Sequence, residues 1–220
     1  MTSRQDNMTI GAETTLLVLV VDRSGSMESI RSDMEGGIRA LLREQAKQPG
    51  TCLVTLAQFD TEYEVLFRAI PVAEVTHYDL VPRDGTALLD AIGRTIGDVR
   101  ESIEKMEMDR RPEHVIFAVV TDGEENSSRE WSRDQVMAVV KDRSDAGWHF
   151  TFLGANQDAI QAGEGIGVGA ASAMTYAGSP AGARGAMSSL SASIGRVRSG
   201  ADKTLAYTED ERRRSGSGRS

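Results

Sequence analysis

Leu16-Leu17-Val18-Leu19-Val20-Val21-Asp22-Arg23-Ser24-Gly25-Ser26-Met27 runs from six consecutive apolar residues straight into a polar, glycine-containing loop. A short continuous apolar run closed in this way predicts a central strand buried on both faces of a parallel sheet. The loop that follows carries one carboxylate, Asp22, and two hydroxyls, Ser24 and Ser26, at alternating positions. Alternate loop residues can aim their oxygens at one spot, and a cluster of oxygens suits a hard cation such as Mg²⁺. In an open α/β sheet, ligands bind outside the carboxyl ends of the strands, where this loop would lie.

Two further segments have the same character. Val115 to Val120 is a second apolar run, followed directly by Thr121-Asp122-Gly123-Glu124-Glu125-Asn126. Between the two runs, Asp84-Gly85-Thr86-Ala87-Leu88-Leu89-Asp90 leads into apolar residues spaced three and four apart: Leu88, Ile92, Ile96, Val99, Ile103 and Met106. That spacing is one face of a helix opening at Thr86. The same period at Met27, Ile30, Met34, Ile38 and Leu41 predicts an earlier helix, ended by Pro49-Gly50. Cys52 to Phe59 and Tyr63 to Ile70 are strand-like runs joined by only Asp60-Thr61-Glu62, so they should pair as a hairpin with the second at a sheet edge.

Further on, Ser132 and Gln135 form a capping-box pattern for a helix over 133–143, with Trp131 and Val136 placed for a staple. Trp131 as an exposed binding anchor is the other reading. Trp148 to Leu153 predicts a strand, Asn156 to Ala162 a short helix, and Ala173 to Ala177 an edge strand. Ser179-Pro180 opens a last helix that buries Met187, Leu190, Ile194 and Val197. Alternating strands and helices imply an α/β fold: a mostly parallel central sheet with one antiparallel edge strand and helices on both faces. Composition divides the chain into a flexible N-terminus over 1–13, a domain over 14–200 and a disordered tail over 201–220.

Asp22, Ser24, Ser26, Thr86 and Asp122, in this order and residue type, resemble the metal-ion-dependent adhesion site of von Willebrand factor type A domains. The resemblance covers about residues 14–198 and implies a Rossmann-like three-layer sandwich. It implies a protein-binding module, not an enzyme, whose five residues hold Mg²⁺ (Mn²⁺ or Ca²⁺ being the alternatives) and whose ion captures an Asp or Glu of a partner protein. Two carboxylates are too few for a high-affinity Ca²⁺ store. Leu153-Gly154-Ala155-Asn156-Gln157-Asp158 and the Gly/Ala-rich stretch after it resemble stand-alone prokaryotic or phage members.

Around the five lie Gly25, Gly85 and Gly123, expected to permit tight loop geometry, and Glu124 and Glu125 at the rim, for solvation or partner selection. Asp84 stands where the family commonly has a small residue; it is either a turn residue or an extra negative charge beside the ion. Asp90, one helical turn after Thr86, either supports the site from behind or is a favourable charge near a helix start.

The 220 residues suffice for one domain with a full core. With Lys plus Arg at 25 against Asp plus Glu at 33, the net charge is -8, and no basic stripe offers a nucleic-acid surface. One cysteine, Cys52, makes no internal disulfide and fits a reducing compartment or core packing. The first fifteen residues lack an apolar signal core, and no stretch approaches the ~20 apolar residues that span a bilayer. The expected setting is the cytoplasm, with a phage particle as the other; no membrane partner is expected. An enzyme is disfavoured: no Ser-His-Asp order, no Walker-type glycine loop, no second ligand cluster for a two-metal site, and no histidine in the three loops. Behind the adhesion reading stand an assembly component with a structural ion and, last, a metal-dependent hydrolase.

Overall fold

The computed structural model describes residues 14–155 and 158–216. The apolar runs become neighbouring strands, β1 (Thr14–Asp22) and β4 (His114–Thr121), at the middle of the sheet. Among the described residues the other strands are β2 (Thr51–Phe59), β3 (Tyr63–Pro71), β5 (His149–Ala155) and β6 (Ala173–Tyr176), in the order β3-β2-β1-β4-β5-β6. Every pairing is parallel except β2 with β3, which is antiparallel, as the three-residue link between them requires.

β1 is buried along its whole length because both its faces are covered. Leu17, Leu19 and Val21 pack into one core with Met34, Ile38 and Leu41 of α1 (Arg31–Lys47) and with Met187, Leu190 and Ile194 of α5 (Pro180–Arg198). Leu16, Val18 and Val20 pack into the other with Ile92 and Ile96 of α2 (Leu88–Glu104) and Val136 and Val140 of α3 (Arg133–Asp145). The result is the Rossmann-like three-layer sandwich. Each such side chain taken from water contributes about 1.5–3 kcal/mol, so slipping β1 out of place is disfavoured on both faces at once.

Chain reversals follow local chemistry. Ser132 and Gln135 make the capping box at the start of α3. The Ser179 hydroxyl accepts the Gly182 N–H at 3.2 Å, with Pro180 in the first turn of α5. Trp131 is half-buried against the α2/α3 core rather than presented to solvent. Two helix starts differ from expectation. Residues Gly25–Ile30 form a 3-10 turn ahead of α1, because the Met27 N–H closes on the Ser24 carbonyl. α2 begins at Leu88, not Thr86, because the Thr86 carbonyl is taken by the N–H groups of Asn126 and Ser127. The short helix expected from Asn156 is α4 (Ala159–Glu164), capped by Asp158; residues 156 and 157 lie outside the described residues.

The expected disordered tail is a correction. Residues 201–216 fold back along α5 and end in α6 (Glu209–Ser215). Leu205 and Tyr207 are buried, and the Tyr207 hydroxyl lies 2.7 Å from Thr151 Oγ1 in β5. Buried Glu211 pairs with Arg196 of α5 at 2.7 Å, so charges that read as a solvated run are partly internal. The expectations for 1–13 and for Ser217-Gly218 fall outside the described residues. Among the described residues, no helix is long and apolar enough to cross a membrane.

Tyr207→Ala is expected to lower unfolding free energy by about 3 kcal/mol in urea titration, as loss of a large buried ring does. A change under about 0.5 kcal/mol would be the signature of a loose tail.

Candidate functional site

β1 and β4 end side by side, and their exits carry the two carboxylates. Asp22 is fully buried. Its Oδ1 accepts the Ser24 N–H at 2.7 Å, and its Oδ2 accepts the Thr121 hydroxyl at 2.5 Å. The hydroxyls of Ser24 and Ser26 lie 3.0 Å apart, and Ser26 Oγ donates to Asp122 Oδ1 at 2.6 Å. Gly123 marks the point on which the hydroxyls converge. A Cβ built there would sit 3.4 Å from Thr86 Oγ1, 3.6 Å from Ser26 Oγ and 3.9 Å from Ser24 Oγ. Three hydroxyls from two loops thus surround one small space, with Asp22 and Asp122 bonded to its rim.

The loop carrying Thr86 is zipped to the loop after β4. Thr86 N–H donates to Asn126 Oδ1 at 2.9 Å, and its carbonyl accepts from Asn126 and Ser127 N–H at 3.1 and 3.2 Å. Gly85 is required by this approach, since a Cβ there would lie 2.5 Å from Ser127 Oγ. Gly25 is not required in the same sense. Its N–H bonds the Asp84 carbonyl at 3.1 Å, but a Cβ would meet only ordinary contact at 3.7 Å. Asp84 is exposed and holds a left-handed φ of 39°, a conformation that costs a non-glycine residue energy.

Asp90 and Glu125 face away from the hydroxyls. Buried Asp90 accepts the N–H groups of Arg129, Glu130 and Trp131 at 2.8–2.9 Å, which ties the post-β4 segment to α2. Burial works against its charge, but these bonds outweigh burial and hold the carboxyl below its ordinary value. Glu125, expected at the rim, turns inward: it accepts the Leu89 N–H at 2.9 Å and those of Ser127 and Ser128 at 2.9 and 2.7 Å. A carboxylate there satisfies an open donor at the α2 N-terminus and complements its dipole. Glu124 stays exposed at the rim.

Sequence reasoning missed two contributors. Thr121, the last residue of β4, holds Asp22 in place, and its only signal was a hydroxyl next to Asp122. Asp60, fully buried in the β2–β3 link, takes ion pairs from Arg23 and Arg83. Burial opposes its charge, yet the bonds from Arg83 and Glu62 N–H and the two guanidinium charges hold it below the carboxylate range.

The electrostatics of the two site carboxylates run the other way. Burial pushes Asp22 up to about 6, the Asp122 charge adding to the rise and the bonds from Thr121 and Ser24 opposing it. Burial likewise raises Asp122, against its bond from Ser26. Neither carboxylate has an ion-pair partner among the described residues. Nor, among them, does any group of three His, Cys, Asp or Glu side chains converge. The donor set here is instead two carboxylates and three hydroxyls, all hard oxygens, which fits a small hard cation. His114 and His149 meet at a tilt at the opposite end of the sheet, with ring centroids 5.7 Å apart and planes 50° from parallel, and exposed His77 bonds Asp79, so these histidines supply no base here.

No family model matches the chain, and no curated protein matches it in sequence. Among solved structures, its fold resembles that of the pilus adhesin SpaC from Lactobacillus rhamnosus GG, with a TM-score of 0.60 at 14% identity over 83% of this chain and 31% of that one. It also resembles proximal thread matrix protein 1 from the mussel byssus with a zinc-occupied metal-ion-dependent adhesion site motif, with a TM-score of 0.54 at 15% identity over 88% and 46%. A von Willebrand factor type A protein from Catenulispora acidiphila gives 0.52 at 13% identity over 82% and 42%. The chain spans less than half the length of these proteins. The likeness is one of fold: the chain shares a three-layer α/β architecture with these proteins.

A raised folded pKa means that the native state binds a proton more tightly than the unfolded chain. Asp22 should therefore add stability to the metal-free protein as pH falls from 7.5 to 5, through its value near 6, while His149, which burial holds below its ordinary value, works the other way in the same range. Urea unfolding across that range isolates Asp22 as a difference: on acidification the parent should gain stability relative to Asp22→Asn.

Proposed function

We propose that this chain is a divalent-cation-dependent protein-binding module of the von Willebrand factor type A family. In this reading Asp22, Ser24, Ser26, Thr86 and Asp122 hold Mg²⁺, with Mn²⁺ as a substitute, and an Asp or Glu side chain of a partner protein completes the site. The observation that carries the reading is the convergence of three hydroxyls on the space beside Gly123, flanked by two carboxylates that lack a basic partner among the described residues.

When bound, the cation supplies positive charge and an open coordination position for an outside carboxylate. The protein's part is to prepare that position. Three of the five groups are neutral, so the chain neutralises a divalent ion only with Asp22 and Asp122, and an incoming carboxylate meets limited repulsion. Thr121 and the Ser24 N–H fix the Asp22 carboxylate, so little rotamer freedom is lost on binding. Ser26 is exposed, on the side open to a partner. The exposed carboxylates of Asp84 and Glu124 favour a partner with basic residues beside its acidic one, an effect that salt weakens. With no imidazole at the site, the only base within reach of a hydroxyl is a carboxylate such as Asp122 beside Ser26, which this reading assigns to the cation, so capture without turnover is the better match to these residues.

Asp22→Ala is expected to weaken Mn²⁺ binding in calorimetry by at least about tenfold, roughly 1.4 kcal/mol, with the circular dichroism spectrum unchanged. Binding equal to the parent's would remove the site assignment. Affinity capture in Mg²⁺ and again in EDTA tests the partner claim: a protein held only in Mg²⁺ supports it. Equal retention in both places the interface elsewhere and leaves the ion a structural role.

A further inference from the structure

Beside the site lies an ion cluster, centred on one buried carboxylate, that cation capture does not itself use. Asp60 is 0% exposed. Its Oδ2 accepts Arg23 Nε at 2.8 Å and Arg83 Nε at 2.6 Å, and its Oδ1 accepts the Glu62 N–H at 2.5 Å. Its carbonyl accepts the Ala87 N–H at 2.8 Å. Both guanidiniums belong to site loops: Arg23 stands between Asp22 and Ser24, and Arg83 precedes Thr86 by three residues. The same loops are joined directly where the Arg83 N–H meets the Arg23 carbonyl at 2.9 Å and where the Gly25 N–H meets the Asp84 carbonyl at 3.1 Å.

Two consequences follow from this arrangement. One carboxylate bolts the Asp22–Ser24 loop, the β2–β3 link and the Thr86 loop together, so it sets how far Thr86 stands from Ser24 and Ser26. It also occupies the positive charge nearest in sequence to Asp22. Arg23 is buried and divides its guanidinium between Asp60 and Glu64, and Arg83 divides its own between Asp60 and Glu62.

We propose that Asp60 is a positioning residue of the cation site: by holding Arg23 and Arg83 it fixes the spacing of the two hydroxyl-bearing loops. This rests on the cation-binding reading above.

The test uses the full chain and Mn²⁺ alone, comparing the parent with Asp60→Asn, Arg83→Gln and Glu211→Gln. The last variant weakens a buried ion pair with Arg196, in the α5–α6 contact, and controls for general destabilisation. Free Mn²⁺ is read by electron paramagnetic resonance at a temperature where each variant is folded. Amide exchange of residues 83–87 is read without metal. Asp60→Asn should weaken Mn²⁺ binding about tenfold or more and speed exchange at 83–87. Arg83→Gln should weaken binding several-fold; its side chain is partly exposed, so it decides the matter if Asp60→Asn does not fold. Glu211→Gln should lower the melting temperature and leave Mn²⁺ affinity unchanged. Binding in Asp60→Asn, or in Arg83→Gln as its stand-in, no weaker than in Glu211→Gln would overturn the proposal while leaving the cation site standing. A parent that binds no better than Asp22→Ala would overturn both.

Discussion

The parallel pairing of β1 with β4, with Val21 opposite Val120, is the constraint on which the rest depends. It brings Asp22 level with the end of β4, so that Thr121 reaches its carboxylate and Asp122 follows at the next turn of the chain. A slip of one residue would exchange the two buried faces of β1 and separate the carboxylates at the same time. The apolar run that secures the core therefore also secures the site. The site sits where β1 leads off to one side of the sheet and β4 to the other, the crevice such topologies leave open.

Around that crevice, nearby carboxylates fall into two groups by the partners they have been given. Asp60 and Asp90 receive guanidinium or several N–H donors, which hold them ionised below the usual range. Glu125 likewise spends its oxygens on backbone donors. Asp22 and Asp122 receive mainly hydroxyl donors, with one N–H for Asp22, and burial wins, raising both. The first group is internally complete and serves as scaffold. The second remains short of positive charge, the condition in which a cation gains most from binding. Acidity is spread through all three loops, and the distribution of donors decides which residues brace and which are left open.

Much of this was legible in the sequence because it rests on local pattern. The uninterrupted runs before Asp22 and Asp122 specify strands buried on both faces, and the three-residue link after Phe59 leaves β3 little choice but antiparallel pairing. That Asp22, Ser24, Ser26, Thr86 and Asp122 gather at one end of the sheet is readable because each stands at a strand exit or just ahead of a helix. What was not legible depends on side chains meeting across the fold. Glu125 looks like a rim charge until α2 brings the Leu89 N–H to it. Asp60 looks like a turn residue until Arg23 and Arg83 arrive from other segments. The region after residue 200 reads as disordered because its charge is high, yet Tyr207 and Glu211 find Thr151 and Arg196 only once α5 is in place.

The central claim is that the hydroxyls of Ser24, Ser26 and Thr86 and the carboxylates of Asp22 and Asp122 form one cation site. The most direct measurement is anomalous diffraction from crystals of the full chain grown with Mn²⁺ at pH 7.5. The account predicts an anomalous peak beside Gly123, bonded to oxygens of these residues, with a remaining position open to solvent or a neighbouring carboxylate. A Mn²⁺ peak elsewhere on the surface and none beside Gly123 would contradict it.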